Sequence, residues 1–164
     1  AVLNTLFHSP EFWDANSYNA KFKTPYQYVV SALRATDLPV DNFTPLTGML
    51  QQLGMPLYGC VTPDGYKNTE ATWLNPDAIT RRLSFATVLA SGRLPLVEPR
   101  KSHSGGLLPN KVMNRPSQDS PVDPLMLATT LGNNFSQQTE TAIAASPPQL
   151  RAALILGSPE FMHR

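Results

Sequence analysis

The sequence predicts an all-α fold, a mainly α, irregular multi-helix domain whose helices are joined by long proline-rich loops. One observation behind this is that apolar residues recur at helical spacing in several segments. The second is that many of the sixteen prolines follow a side chain that can cap a helix. A residue before proline is held in extended geometry, as an N-cap residue is, so these prolines predict helix starts rather than breaks. They are Pro10, Pro25, Pro45, Pro76, Pro124, Pro147 and Pro159.

Length and charge indicate one domain over residues 1–164 and restrict its partners. A domain of about 150 residues buries about 70% of its unfolded surface, which is enough for a core. The net charge of +1 gives no electrostatic reason to expect binding to nucleic acid. No apolar run approaches the roughly 20 residues of a membrane-spanning helix, so no span is expected. The single cysteine, Cys60, excludes an internal disulfide and a zinc site built from several cysteines.

The stretch 23–36 predicts the helix on which the rest of the chain is organised. Thr24 can act as N-cap, and Pro25 suits the first helical position because it needs no hydrogen-bond partner there. Gln27 completes the spacing of a capping box. An apolar stripe is expected to face the core. It consists of Tyr26, Val29, Val30 and Leu33.

Segments before and after this helix predict further helices. Residues 2–7 have the pattern of a helix end, and Ser9-Pro10 starts a short helix. Later helices are predicted at 45–53, 76–90, 125–131, 136–145 and 150–156. Four aromatic side chains are expected in the core. They are Phe7, Phe12, Phe22 and Phe85.

The longest predicted helix, 76–90, carries two adjacent arginines of which at most one can face the core. Ile79, Leu83, Ala86 and Ala90 share a face that is expected to be buried. Arg81 and Arg82 are adjacent and point to different sides of the helix, so at most one of them is expected to pair inward.

The segment 93–122 has no apolar period, contains five prolines and carries mostly basic charge. Loops of this length without regular structure are uncommon within one domain. We therefore predict a long irregular or flexible segment that is the most protease-sensitive part of the chain. The tetrapeptide Ser-Pro-Glu-Phe occurs on either side of it, at 9–12 and at 158–161. Two copies suggest a degenerate repeat of helix end, cap and helix, but not a solenoid.

Five blocks of sequence closely resemble the C-terminal part of a large bacterial family, domain of unknown function 1800 (DUF1800). In order, they are HSPEFW at 8–13, KFKTPYQYVVSALRAT at 21–36, LGMPLYGCVTPDGY at 53–66, TWLNPDAITRRLSFATVLASG at 72–92 and RAALILGSPEFMHR at 151–164. The resemblance implies a mostly helical protein and a longer N-terminal portion that would pack against this chain. Members commonly carry export signals, so it also implies a periplasmic or secreted location. The family has no agreed catalytic residues, so none is assigned here.

The loop 57–73 is predicted to be the ligand-facing surface. Two predicted helices hold its ends, and Pro63-Asp64-Gly65 predicts a tight turn that would project Tyr66 outward. Flat aromatic faces beside hydrogen-bonding groups suit a sugar or a peptide. Trp73 has an alternative role, which is to fill the core ahead of the cap at Asn75. The candidate ligand-binding residues are Tyr58, Asp64, Tyr66, Asn68, Glu70 and Trp73.

No reaction is predicted from the residues, and no metal or cofactor is expected. His8, His103 and His163 lack the spacing of metal ligands. Cys60 is more typical of a small buried residue than of a nucleophile. Two hypotheses therefore remain. The first is an exported, non-catalytic helical module that binds a protein partner or a cell-surface glycan. The second is a segment of an enzyme whose catalytic residues lie mainly in the missing N-terminal portion.

Overall fold

The computed structural model describes residues 1–97 and 121–164. Regular structure in these residues is helical, apart from one antiparallel bridge between Phe22 and His163. The helices are α1 (Val2–His8), α2 (Pro25–Thr36), α3 (Thr44–Gln52), α4 (Glu70–Trp73), α5 (Pro76–Ala90), α6 (Pro124–Thr130), α7 (Gln137–Ala145), α8 (Pro148–Leu156) and α9 (Pro159–Met162). Short 3-10 helices at Pro10–Trp13 and Ala15–Ser17 lie between α1 and α2. The mainly helical fold predicted from the sequence is therefore confirmed.

Prolines begin most of these helices, as their positions in the sequence predict. Before α2 the capping box forms in full: Gln27 N donates to Thr24 Oγ1 at 3.4 Å, and Thr24 N donates to Gln27 Oε1 at 3.1 Å. Helices α3 and α8 differ: α3 begins at Thr44 with Phe43 as its N-cap, and α8 begins at Pro148 with Pro147 as its N-cap, and neither has a side-chain cap hydrogen bond. Side-chain caps are also present at Asn75, Asp123, Ser136 and Ser158.

The core is centred on the contact of α5 with α8. Helix α8 also packs against α6, α7 and α9, and α2 packs against α3 and α6. The side chains of Tyr28, Phe85 and Leu156 are fully buried there. These three come from α2, α5 and α8, so the centre of the core joins elements that are distant in sequence.

The buried faces of α2 and α5 are rotated from those that the apolar pattern predicts. Tyr28 is 0% exposed whereas Tyr26 is 47% exposed, and Arg82 is 0% exposed whereas Leu83 is 42% exposed. For α5 the prediction failed because it placed apolar side chains such as Leu83 inward and polar ones such as Arg82 outward. Tyr28 enters the core because its hydroxyl reaches two buried backbone carbonyls, those of Arg82 at 3.2 Å and Leu156 at 3.0 Å.

The first eighteen residues form an arm without any buried residue. Phe7 and Phe12 are 49% and 42% exposed, so their predicted place in the core is wrong, whereas Phe22 and Phe85 are buried there. Within the arm, the ring of Phe12 makes edge-to-face contacts with Phe7 and Trp13, each with centroids 5.1 Å apart. The arm is thus ordered by its own aromatic residues.

The two Ser-Pro-Glu-Phe copies share a cap but not an environment. Phe12 N donates to Ser9 Oγ at 3.3 Å, and Phe161 N donates to Ser158 Oγ at 3.1 Å. The first copy lies in the exposed arm, whereas Phe161 is buried against Tyr28 with ring centroids 5.7 Å apart. The tetrapeptide therefore specifies a helix start, and the rest of the chain decides whether it is buried.

The beginning of the predicted irregular loop is irregular in the structure, at residues 93–97. Leu94 and Leu96 are nevertheless buried, and the carbonyl oxygen of Leu96 accepts hydrogen bonds from Asp41 N and Asn42 N, both at 2.8 Å. Residues 98–120, on which the prediction of protease sensitivity mainly falls, lie outside the described residues.

Glu160 ties α9 to the start of α7. Its carboxylate accepts hydrogen bonds from Ser136 N at 2.9 Å and from Thr139 Oγ1 at 3.1 Å. Partial burial tends to raise the pKa of this carboxyl, but the hydrogen bonds outweigh it and lower the pKa from 4.5 to about 2. The charged form is therefore favoured by the folded state.

We predict that Glu160→Gln lowers the free energy of unfolding at neutral pH. Because the folded pKa lies below the unfolded one, the contribution is complete above about 4.5 and is lost as pH falls towards about 2. Urea unfolding at a series of pH values measures it. Glu140→Gln removes an exposed carboxylate of α7 and is the control. Equal losses from the two variants would contradict the prediction.

Candidate functional site

The loop between α3 and α4 is built around glycines that permit its tight turns. Gly54 follows α3 with a φ of +81°, and Gly65 has a φ of +77°. A Cβ at Gly59 would lie 2.6 Å from Cγ of Pro56. Such a contact excludes a side chain at residue 59, so the chain folds back closely on Pro56.

Two aromatic side chains hold this loop from within. The hydroxyl of Tyr66 donates to the carbonyl oxygen of Pro56 at 2.8 Å, and Trp73 Nε1 donates to that of Lys67 at 2.7 Å. The two rings contact each other, with centroids 6.2 Å apart. Trp73 is 6% exposed and belongs to the core, as the alternative interpretation of this residue expected. Tyr66 is half-buried against the core instead of projecting outward.

The other candidate residues from the sequence are exposed, and one of them, Glu70, begins α4 rather than lying in the loop. Asp64, Asn68 and Glu70 are exposed. Tyr58 is completely exposed and adopts a φ of 57°. The left-handed region is unfavourable for a bulky aromatic residue, and such strain is concentrated at functional positions in proteins. Of the six candidates, Tyr66 and Trp73 therefore support the loop, whereas the other four are exposed.

Two apolar side chains that the sequence analysis did not select lie near Tyr58 in the chain. Leu57 is 46% exposed and Val61 is 97% exposed. We call Leu57, Tyr58 and Val61 the display patch. Apolar residues in a segment without a helical or strand period are not predicted to face a core. Their presence in this loop could have marked Leu57 and Val61 as exposed apolar side chains.

A second notable feature is a pair of cations at the core's edge. The Arg82 guanidinium lies 4.4 Å from the ring centroid of Phe22 and 5.0 Å from that of Tyr28. Lys23 Nζ donates to the carbonyl oxygen of Phe161 at 2.6 Å and lies 4.1 Å from its ring centroid. Burial, and then the charge of Arg82, lower the pKa of Lys23 to about 8.

An apolar cleft of about 400 Å³ lies where the C-terminal ends of α2 and α5 meet α6. Its walls include Leu38, Leu89 and Leu127. Val97 and Pro121 also line it, and they are the residues at which the described chain stops and resumes. The described residues therefore do not define its outer boundary, and no ligand is assigned to it.

The family model described as "Protein of unknown function (DUF1800)" matches residues 1–163. The chain belongs to the DUF1800 family. No curated protein and no solved structure gives a match. The resemblance seen in the sequence blocks is thus confirmed over nearly the whole chain. Since the DUF1800 description assigns no activity, function has to be argued from the surface chemistry of this chain.

Cys60 and two histidines of the described part of this DUF1800 chain have local hydrogen-bond partners. Cys60 Sγ lies 3.5 Å from Thr62 Oγ1. The Nδ1 atoms of His8 and His163 lie 2.8 Å and 2.7 Å from backbone carbonyl oxygens one turn earlier. Residues 1–97 and 121–164 contain no group of three or more side chains placed to bind a metal. Within the same residues, no helix has the length and apolar character needed to cross a membrane.

We predict that the stability of this DUF1800 chain rises from about pH 8 towards pH 10. The pKa of Lys23 is about 8 in the folded state but 10.5 for an unperturbed lysine, so the unfolded state binds more protons in this window. The charges that face it are those of Arg82 and Arg164. Above about pH 10 the raised pKa of buried Tyr28 acts in the opposite direction.

Urea unfolding midpoints across this range, with and without Lys23→Met, measure the effect. The variant should show a flatter profile, because the group responsible is removed. A wild-type profile that falls between pH 8 and pH 9.5 would contradict the assigned shift.

We also predict opposite sensitivities for two aromatic residues of the loop. Trp73→Ala should cost roughly 3–5 kcal/mol of stability, because it removes a buried ring and its hydrogen bond. Tyr58→Ala should change stability by less than about 0.5 kcal/mol, because the side chain has no packing to lose. Equilibrium urea unfolding of both variants measures the difference. Comparable losses would mean that Tyr58 is packed in solution.

Proposed function

We propose that this DUF1800 protein is an exported, non-catalytic helical module that binds a protein partner through the display patch. The observation that carries the proposal is Tyr58, which is wholly exposed in a left-handed backbone conformation on a loop held by Tyr66 and Trp73. Export is part of the proposal because the family resemblance implies it.

The physical chemistry of the patch favours a polypeptide partner. Tyr is enriched among residues that dominate binding energy at protein interfaces. A preformed loop loses little conformational freedom on binding, and this favours affinity. Leu57 and Val61, close to Tyr58 in the chain, add exposed aliphatic side chains. Aliphatic side chains suit the apolar core of a protein interface better than the hydroxyl groups of a glycan.

A non-catalytic role is supported by what the titratable groups do. Cys60 lies beside a threonine hydroxyl, and two histidines lie against carbonyl oxygens of their own helices. The hydrogen-bond partner of the Cys60 thiol is thus a hydroxyl rather than a histidine or carboxylate, whereas covalent catalysis requires a general base beside the nucleophile. The competing hypothesis is an enzyme segment completed by an N-terminal portion, and such a segment would turn over a substrate once that portion is added.

The arm of residues 1–18 is the second surface in this proposal. Val2, Leu3 and Trp13 are 81%, 67% and 58% exposed, in a segment without buried residues. Contiguous exposed apolar side chains are typical of an interaction surface. We assign the arm to contact with the N-terminal portion that the family resemblance implies.

We predict that the display patch crosslinks to one protein in living cells. A photoreactive phenylalanine analogue at position 58 should trap a partner that mass spectrometry identifies. Using the purified partner, Leu57→Ser and Tyr58→Ser should each weaken binding about tenfold or more, because they remove apolar interface contacts. Titration calorimetry measures the affinity.

Leu150→Ser is the matched control, because Leu150 on α8 is 48% exposed and Leu57 is 46% exposed. It should leave the affinity unchanged. Equal weakening by all three variants would show that the patch is not the interface. Binding of a purified glycan that Tyr58→Ser abolishes would replace the protein partner with a sugar. Substrate turnover on addition of the N-terminal portion would favour the enzyme hypothesis.

A further inference from the structure

We propose that Arg82, together with Lys23, forms a buried binding site for a carboxylate group. Arg82 is 0% exposed, and its Nη2 donates to the carbonyl oxygen of Lys23 at 2.8 Å. Its Nε and Nη1 atoms are buried and have no hydrogen-bond partner in the described part of the chain. A guanidinium has five N–H donors, so most of its hydrogen-bonding capacity is unused. This proposal does not depend on the display patch.

The surroundings of Arg82 supply positive charge and aromatic rings but no counter-ion among the described residues. Lys23 is its charged neighbour, because Arg82 donates to the Lys23 carbonyl oxygen and its charge lowers the Lys23 pKa. Phe22 and Tyr28 flank the guanidinium with their rings. A buried charge that lacks both a counter-ion and hydrogen-bond partners is strongly unfavourable, and buried cations in proteins are normally paired.

The acidic side chains of the described residues are engaged elsewhere or exposed. Glu160, on the helix that contacts Tyr28, points its carboxylate to Ser136 and Thr139. Asp77 pairs with Arg81, one position before Arg82 on the same helix. The counter-ion of Arg82 therefore has to come from outside the described residues.

A carboxylate matches this site in charge and in the planar geometry of its hydrogen-bonding atoms. It is planar like the guanidinium, carries one negative charge, and has two oxygens that accept from neighbouring N–H groups. Lys23 adds an ammonium with three donors, of which the described contacts use one, to the carbonyl oxygen of Phe161. Burial and the charge of Arg82 lower the pKa of Lys23, and an anion bound between the two cations would relieve this repulsion.

Entry to the site requires a local opening of one short ribbon. Residues 21–23 lie against residues 162–164 through backbone hydrogen bonds between Lys21 and Arg164 at 3.2 Å and 2.9 Å, and from Lys23 to Met162 at 2.8 Å. Phe22 stands in this ribbon and its ring covers Arg82. A pairing of three residues opens at lower free energy than a packed core, so a small ligand can reach the guanidinium without global unfolding.

Acetate tests this proposal directly. Thermal and urea unfolding are compared in acetate and in chloride at equal ionic strength and neutral pH. At ten times its dissociation constant, a ligand of the folded state raises the folded-to-unfolded ratio about elevenfold. The Nε–Hε NMR signal of Arg82 should shift in the same titration, which locates the ligand without relying on any variant.

Three variants assign the response to the site. Arg82→Met should abolish it, and the substitution should be tolerated because an apolar side chain of similar length replaces an unpaired buried charge. Lys23→Met should weaken it. Arg81→Met on the same helix loses an exposed guanidinium paired with Asp77 and should keep the full response.

The source of the carboxylate is distinguished by a second ligand. A response to acetate supports a site for free carboxylates. A response only to a short peptide carrying glutamate supports an acidic side chain of a polypeptide. Equal unfolding in acetate, peptide and chloride, with an unmoved Arg82 signal, would overturn the proposal and indicate that only aromatic contacts and water stabilise Arg82. A larger response to sulfate than to either carboxylate would overturn the proposal of a carboxylate ligand, because the site would then prefer a different class of anion.

Discussion

The buried hydroxyl of Tyr28 is the contact on which the rest of this fold depends. It lies within hydrogen-bonding distance of the carbonyl oxygens of Arg82 and Leu156, so one side chain of α2 joins α5 to α8. Leu156 ends α8, where carbonyl groups lack partners within the helix. The rings of Phe85 and Phe161 meet Tyr28 edge-on at 6.0 Å and 5.7 Å. Tyr28 therefore combines hydrogen bonds to backbone carbonyl groups with aromatic packing in the centre of the core.

Helix starts could be predicted from the sequence because their causes are local. Thr24 and Gln27 cap each other three residues apart, and Ser9 and Ser158 cap the same tetrapeptide in two environments. The inward faces could not be predicted in the same way. The choice of Tyr28 over Tyr26 depends on carbonyl groups that lie 54 and 128 residues away.

The predicted loop 57–73 follows α3, but its last four residues, Glu70–Trp73, form α4, which no period in the sequence indicates. The roles of the residues within the loop could not be separated from the sequence either. Tyr66 and Trp73 turn inward because the carbonyl oxygens of Pro56 and Lys67 lie within reach of their polar atoms. These contacts require the folded path of the loop, which no local period encodes. Tyr58 precedes Gly59, and the close turn at that glycine leaves it outside.

The link between Tyr28 and Leu156 has a consequence for the order of events during synthesis. The two residues are 128 positions apart, and a ribosome adding roughly 5–20 residues per second needs roughly 6–26 s to cover that distance. During this interval α2, and later α5, exist without α8, so the carbonyl of Leu156 is not yet available to the tyrosine hydroxyl. Completion of the core must therefore wait until α8 has left the exit tunnel, and a nascent chain stalled before α8 would expose apolar surface to chaperones.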